Sequence, residues 1–242
     1  MDYKIYAVRI GDKYGIHYEH DLEQKLGNIT WIREEEPGVL LQWNKLRAFN
    51  ENTEQAIVLI DIDLEFIGSY SDLFELPIER GEFLTTRSWW GQDNPTAVPY
   101  KISGGFYKFY PKDTRHIYET FRQDKEFWQT HYIKEGITKG PVNGEMNFVE
   151  DCIRGRVGNH KPLHMKFVPD SWHTTFRNDK DHEYLSRLTK AYKHDYLWLG
   201  DFHPDIKMVH YHQQQGLAET SLSRWTQDQR NPQPSLVQTS SL

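Results

Sequence analysis

Apolar and polar residues follow two rhythms along this chain, and the switches between them mark its elements. Ile5 to Ile10 is apolar and β-branched, and Gly11-Asp12-Lys13-Tyr14-Gly15 follows with turn-forming residues, which predicts an opening strand and loop. A short helix is expected over His17 to Leu26 and a second strand over Ile29-Thr30-Trp31-Ile32. Pro37-Gly38 breaks the chain. Beyond it, apolar residues at positions 39, 40, 43, 46 and 49 line one face of a helix from Val39 to Phe49. Gln55 to Ile60 carries a continuous apolar run whose length and branching fit a strand buried on both faces, as in a parallel or mixed sheet.

Ser71-Asp72-Leu73-Phe74 has the form of a capped helical turn. Glu82 to Thr86 and Ile102 to Tyr110 read as strands on either side of a Gly/Pro/Asn-rich loop, Trp89 to Tyr100. Helices are predicted over Thr114 to Thr130, over Glu145 to Arg154 after Gly140-Pro141, and over His182 to Tyr192. Met165 to Val168 and Ile206 to His212 complete the strands. From Thr226 onward the residues are Gln, Asn, Pro and Ser with few apolar groups, so a flexible tail is expected over 226–242. No repeat or linker divides the rest. The pattern therefore predicts one α/β domain over residues 1–225, with a central mixed, mostly parallel sheet flanked by helices.

Composition narrows the function. The formal net charge of -6 and the lack of a basic tract argue against nucleic acid as a partner. Eight Trp, 14 Tyr and 12 Phe suit a folded chain with a polar, ring-lined cleft. The single cysteine, Cys152, allows neither an internal disulfide nor a cysteine metal site, and a reducing, cytoplasmic compartment is the natural reading. Ala56 to Ile60 is the longest aliphatic run and is far too short to span a membrane. Met1-Asp2-Tyr3-Lys4 opens with no apolar segment of the kind a signal peptide needs.

The sharpest chemical signal is Ile57-Val58-Leu59-Ile60-Asp61-Ile62-Asp63. A buried strand delivers two carboxylates at its carboxyl end, where open α/β sheets bind ligands. Asp61 and Asp63 share a face if the strand continues, and two like charges so close call for a cation between them. Carboxylate oxygens suit Mn2+ or Mg2+. A bare D-x-D also arises by chance, so the apolar approach gives it weight. The second signal is Lys207-Met208-Val209-His210-Tyr211-His212, which places His210 and His212 on one face of a strand. Either imidazole is a candidate to complete the metal site, with a slight lean to His212 at the strand's end. His160 and His164 have helical ligand spacing, but Pro162 between them points to a surface loop.

Together these segments resemble the GT-A nucleotide-sugar glycosyltransferases, in particular the glycogenin-like group and its small phage and large-virus relatives. In that group a W-x-K-L or T-K-L helix precedes the apolar strand, and here it is Gln42-Trp43-Asn44-Lys45-Leu46. Ile102-Ser103-Gly104-Gly105-Phe106 stands where the group has an N-S-G-V-like strand, and Gly144-Glu145-Met146-Asn147 where it has a G-D-Q helix start. Val209-His210-Tyr211-His212 resembles the late metal-binding histidine element, and Val8-Arg9-Ile10-Gly11-Asp12-Lys13-Tyr14-Gly15 the nucleotide-binding first strand and loop. Glu145-Met146 replaces the usual Asp-Gln, and no K-P-W follows Gly216.

The resemblance implies a metal-dependent transferase that moves a sugar from a nucleotide-diphosphate sugar donor to a glycan or other hydroxyl acceptor. It implies metal contacts from Asp61, Asp63 and one of His210 and His212. It implies donor contacts from Val8, Gly11, Lys45, Ser103, Gly104 and Gly105. Lys45 is the candidate second positive charge for the leaving diphosphate. Glu145 is the candidate carboxylate, as base in an inverting reaction or as a stabilising group in a retaining one, with Asp151 in reserve. Trp89, Trp90 and Trp172 are candidates to roof the cleft, although aromatics more often fill interiors. The rival readings are a metal-dependent phosphodiester or phosphoryl hydrolase, which needs further ligands for a second ion, and a non-catalytic carbohydrate- or nucleotide-binding module.

Overall fold

A computed structural model describes residues 3–11, 14–87, 102–135, 144–175 and 205–210. Among these residues the strands are β1 (Tyr3–Val8), β2 (Ile29–Ile32), β3 (Ala56–Ile60), β4 (Leu64–Phe66), β5 (Glu82–Arg87), β6 (Ile102–Phe109), β7 (His164–Phe167), β8 (His173–Thr175) and β9 (Met208–His210). The main sheet has the order β2-β1-β3-β6-β5-β7, and a smaller one the order β4-β9-β8. β1 pairs in parallel with β2 and β3, and β5 with β7, while β6 is antiparallel to both β3 and β5. A mostly parallel sheet with one reversed strand sets the carboxyl end of β3 beside the start of β6. There the Asp61 N–H donates to the Gly105 carbonyl at 2.9 Å.

The strand periodicity explains the layers. Ala56, Val58 and Ile60 of β3 face one apolar cluster, and Ile57 and Leu59 face the other. Every residue of β3 is buried, which is why the run reads as continuously apolar rather than alternating. The first face is covered by α1 (Ile16–Leu26) through Leu22 and Leu26, by α2 (Ser71–Glu75) through Leu73 and Phe74, and by the small sheet. The second is covered by a 3₁₀ helix over Leu41–Asn50 and by α3 (Pro111–Gln123), α4 (Lys125–Glu135) and α5 (Glu145–Ile153). Each fully buried large apolar side chain contributes roughly 1.5–3 kcal/mol.

Three predicted elements are redrawn, and the sequence pattern does not predict β4 and β8 of the small sheet. The first strand is Tyr3–Val8, ending where its parallel partners β2 and β3 end, with Val8 opposite Ile32 and Ala7 opposite Ile60. The segment read as a helix from Val39 to Phe49 is the 3₁₀ helix; Trp43, Leu46 and Phe49 repeat every three residues, the period at which 3₁₀ side chains eclipse, and all three are fully buried. The single helix expected over Thr114 to Thr130 is two helices broken at Asp124 (φ -157°, ψ 81°), whose carboxylate accepts the Phe127 N–H at 2.9 Å as an N-cap. The readings over Trp89 to Tyr100, His182 to Tyr192 and 226–242 lie outside the described residues.

Candidate active site

The carboxyl end of β3 does not continue as a strand. It turns through Asp61-Ile62-Asp63 into β4, and Ile62 buries its side chain in the core at the bend. β4 then pairs antiparallel with β9, matching Leu64 to His210. That pairing carries the imidazole to the two carboxylates, and His210 Nε2 lies 3.2 Å from Asp63 Oδ1. One ligand atom each from Asp61, Asp63 and His210 falls within 4.8 Å of the others. Opposite ligands on a Mg-sized ion are separated by about 4.2 Å, twice a bond of about 2.1 Å, so a small rotamer adjustment lets all three reach one ion. Two carboxylate oxygens and one imidazole nitrogen form a donor set suited to Mn2+ or Mg2+. Burial works against a charge on His210, but Asp63 outweighs it and raises the imidazole pKa above its ordinary value.

Lys45 stands directly beside this group. The 3₁₀ helix buries it to 2% exposure, and its ammonium donates to Asp61 Oδ1 at 2.8 Å and to the Gly104 carbonyl at 3.0 Å. Glu145 Oε2 lies 3.3 Å from the same nitrogen. Burial disfavours the ammonium, yet Asp61 and Glu145 outweigh that cost and hold its pKa above the usual lysine value. Burial pushes Glu145 up to about 7; Lys45 opposes the rise, and Asp61 adds to it. The lysine thus bridges the candidate metal carboxylate and the candidate catalytic carboxylate. Glu145 is the first residue of α5, behind Gly144 at φ 89°. A Cβ at Gly144 would lie 2.3 Å from the Tyr132 carbonyl oxygen, so glycine is required for α5 to start where it does.

Gly104 and Gly105 face opposite sides of β6. A Cβ on Gly104 would meet Lys45 Nζ and Glu145 Oε2 at 3.5 Å, and one on Gly105 would meet His210 Cε1 and Nδ1 at 3.0 Å. Ser103 is buried, and its carbonyl accepts the Thr85 hydroxyl at 3.2 Å. Val8, at the end of β1, is half-buried against the second cluster. Gly11 has φ 71° and a carbonyl held by Arg9. The site therefore gathers Lys45, Asp61, Asp63, Gly104, Gly105, Glu145 and His210. His212, Trp89 and Trp90 lie outside the described residues. Asp151 is engaged elsewhere, accepting the Tyr132 hydroxyl at 2.7 Å and Arg156 Nη1 at 3.0 Å. The Trp172 ring has the Lys207 ammonium 4.5 Å from its centre, which occupies one of its faces. His160 packs on His116 at 4.2 Å, while His164 Nδ1 lies 3.3 Å from Glu82, so these two histidines serve different neighbours.

The sequence placed Tyr14 in the loop that resembles a nucleotide-binding element but did not reveal its contact with Asp63. Its hydroxyl donates to Asp63 Oδ2 at 2.9 Å. Burial and the neighbouring Asp63 carboxylate both raise the phenol's pKa, so it stays protonated and acts as the donor. The available signal was a tyrosine just after the first strand, in a loop that lies at the carboxyl edge of the sheet beside β3.

No protein-family model matches the chain, and no curated protein matches it in sequence. Solved glycosyltransferases share its architecture. The galactosyltransferase LgtC, solved in complex with donor and acceptor sugar analogs, has a TM-score of 0.55 at 10% identity, over 94% of this chain and 95% of that one. The glycosyltransferase GlyE of Streptococcus pneumoniae TIGR4 has a TM-score of 0.53 at 15% identity, over 86% of this chain and 54% of GlyE, so this chain spans about half of GlyE's length. An active-site mutant of LgtC has a TM-score of 0.51 at 9% identity. The chain has the α/β, GT-A-like fold of these glycosyltransferases.

Proposed function

We propose that the chain is a divalent-cation-dependent glycosyltransferase that transfers a sugar from a nucleotide-diphosphate sugar to a hydroxyl acceptor. One observation carries this reading. On a GT-A-like fold, Asp61, Asp63 and His210 converge within 4.8 Å at the carboxyl edge of the sheet, with the buried Lys45 ammonium 2.8 Å from Asp61. Asp61, Asp63 and His210 would hold Mn2+ or Mg2+, which supplies positive charge to the diphosphate of the donor. Among the described residues this is the one carboxylate–histidine group with metal-ligand spacing, which favours transfer over a hydrolase that needs a second ion.

In the reaction the bond from the anomeric carbon to the diphosphate oxygen breaks, and the acceptor oxygen takes its place on that carbon. Lys45 adds a fixed cation beside the leaving group, where burial makes it worth more than in water. Glu145, with its pKa pushed up to about 7, is poised to accept the acceptor's proton near neutral pH or to stabilise charge on the sugar. We assign Val8 and Gly11, at the end of β1 and in the loop after it, to the nucleotide, and the small Gly104 lets Lys45 and Glu145 pack closely against β6. The lone thiol, Cys152, is buried and fits a reducing, cytoplasmic setting. Among the described residues no helix is long and apolar enough to cross a membrane.

A panel of nucleotide sugars incubated with the protein and Mn2+ tests the proposal. One donor should yield free nucleoside diphosphate, slowly without acceptor and faster with one. Turnover that persists in a chelator overturns the metal requirement. Failure to consume any nucleotide sugar, with acceptors supplied, overturns the transferase reading.

A further inference from the structure

Asp63 has two oxygens with different neighbours. Oδ1 faces His210 Nε2 at 3.2 Å, toward the group that could share an ion. Oδ2 accepts the Tyr14 hydroxyl at 2.9 Å, on the side of the loop between β1 and α1. That loop is itself tied down: the Arg9 guanidinium donates to the Gly11 and Tyr14 carbonyls, while its Nε pairs with the buried Glu19 at 2.9 Å. The Tyr14 ring packs edge-on against Tyr18 of α1, with centroids 5.2 Å apart, so the hydroxyl is held in place rather than free to swing.

We infer that Tyr14 is a positioning residue for the metal site, which holds the Asp63 carboxylate through Oδ2 and so fixes the orientation in which Oδ1 is turned toward His210 and a shared cation. The inference rests on the metal-site part of the function proposed above. Hydrogen bonds to a ligating carboxylate fix its orientation, and their loss typically costs 10–100-fold in metal affinity. The geometry adds a consequence for selectivity. A carboxylate released from that bond turns more freely and can more readily offer both oxygens to one ion, which suits the longer bonds and higher coordination number of Ca2+ better than the tighter shell of Mg2+. Tyr14 therefore biases the site toward ions of the size of Mg2+ and Mn2+ and against Ca2+.

The test uses Tyr14→Phe, which keeps the ring and removes one hydroxyl. Binding of Mn2+ alone to the metal-free chain is followed by electron paramagnetic resonance, with Ca2+ as competitor and no nucleotide present. Tyr14→Phe should weaken Mn2+ binding about 10-fold or more, and the preference for Mn2+ over Ca2+ should narrow several-fold. The preference is a ratio read within one sample, so a loss of folded protein cancels from it and a general loosening of the loop does not produce it. An unchanged ratio, with Mn2+ affinity within twofold of wild type, overturns the inference. Asp63→Asn separates the two readings. If wild type binds Mn2+, Asp63→Asn does not, and Tyr14→Phe behaves as wild type, the metal site stands and the role of Tyr14 falls. If wild type binds no Mn2+, both fall.

Discussion

Lys45→Met removes one positive charge from the centre of the site while nearly keeping the length and apolar stem of the side chain. In the wild type that ammonium is 3% exposed at its side chain and is shared by Asp61, the Gly104 carbonyl and Glu145. Removing one partner of a buried ionic group costs about 3–5 kcal/mol, because the remaining charges lose their compensation. The low end applies here. The Asp61 side chain is 27% exposed and keeps some water, and Glu145, with its pKa near 7, can escape its charge by taking a proton. A loss of about 3 kcal/mol corresponds to a fall in melting temperature of about 6–12 °C for a chain of this size. Differential scanning calorimetry in a chelating buffer near neutral pH measures it directly. The same variant removes the charge that repels a cation, so saturating Mn2+ should raise its melting temperature more than it raises the wild type's. A fall of less than about 2 °C in chelator would refute the ion-bridge reasoning, and a smaller Mn2+ effect in the variant would refute the placement of the ion beside Asp61.

Three further outcomes follow from particular contacts. Gly144→Ala forces a Cβ to 2.3 Å from the Tyr132 carbonyl at φ 89°, which should cost about 2–4 kcal/mol in a chemical denaturation curve and displace Glu145, lowering turnover even where the variant stays folded. Gly105→Ala places a methyl 3.0 Å from the His210 ring and should weaken Mn2+ binding with little change in melting temperature; unaltered affinity would show that the ring shifts without cost. Asp113 accepts from Arg80 Nε at 2.7 Å and from the Gly81 N–H at 2.8 Å, and the Arg80 bond is the main cause of its lowered pKa. A lowered carboxyl pKa gives stability that is present above the unfolded value of about 3.9 and is lost as pH falls through the folded value. Asp113→Asn should therefore cost about 1 kcal/mol at pH 7, a modest figure because the Arg80 side chain is 54% exposed, and the difference should shrink below pH 4.

The parts of the fold that were legible in the sequence are those governed by local burial. β3 was plain because a strand buried on both faces must be apolar at every position. Val39 to Phe49 was ambiguous because apolar residues three apart satisfy both a broad α-helical face and the 3₁₀ repeat, and only the packing of Trp43 on Phe121 and Phe148 decides between them. The break at Asp124 was hidden because Ile117, Phe121 and Trp128 keep a helical phase across it; the N-capping aspartate was the overlooked signal. At the site, Asp61 and Asp63 announced themselves through the strand that delivers them. His210 needed the pairing of β9 with β4, a contact between segments far apart in the chain, and the sequence alone leaned slightly to His212 instead. The Lys45–Glu145 bridge and the Tyr14 hydrogen bond also join distant segments, and no spacing rule reaches them.

The most direct test of the central claim is release of nucleoside diphosphate from a nucleotide sugar, measured across a Mn2+ titration for wild type, Asp63→Ala and His210→Ala. The account predicts Mn2+-dependent release by the wild type, none by folded Asp63→Ala, and a strongly raised Mn2+ requirement for His210→Ala. Release that ignores Mn2+ and survives Asp63→Ala would contradict it.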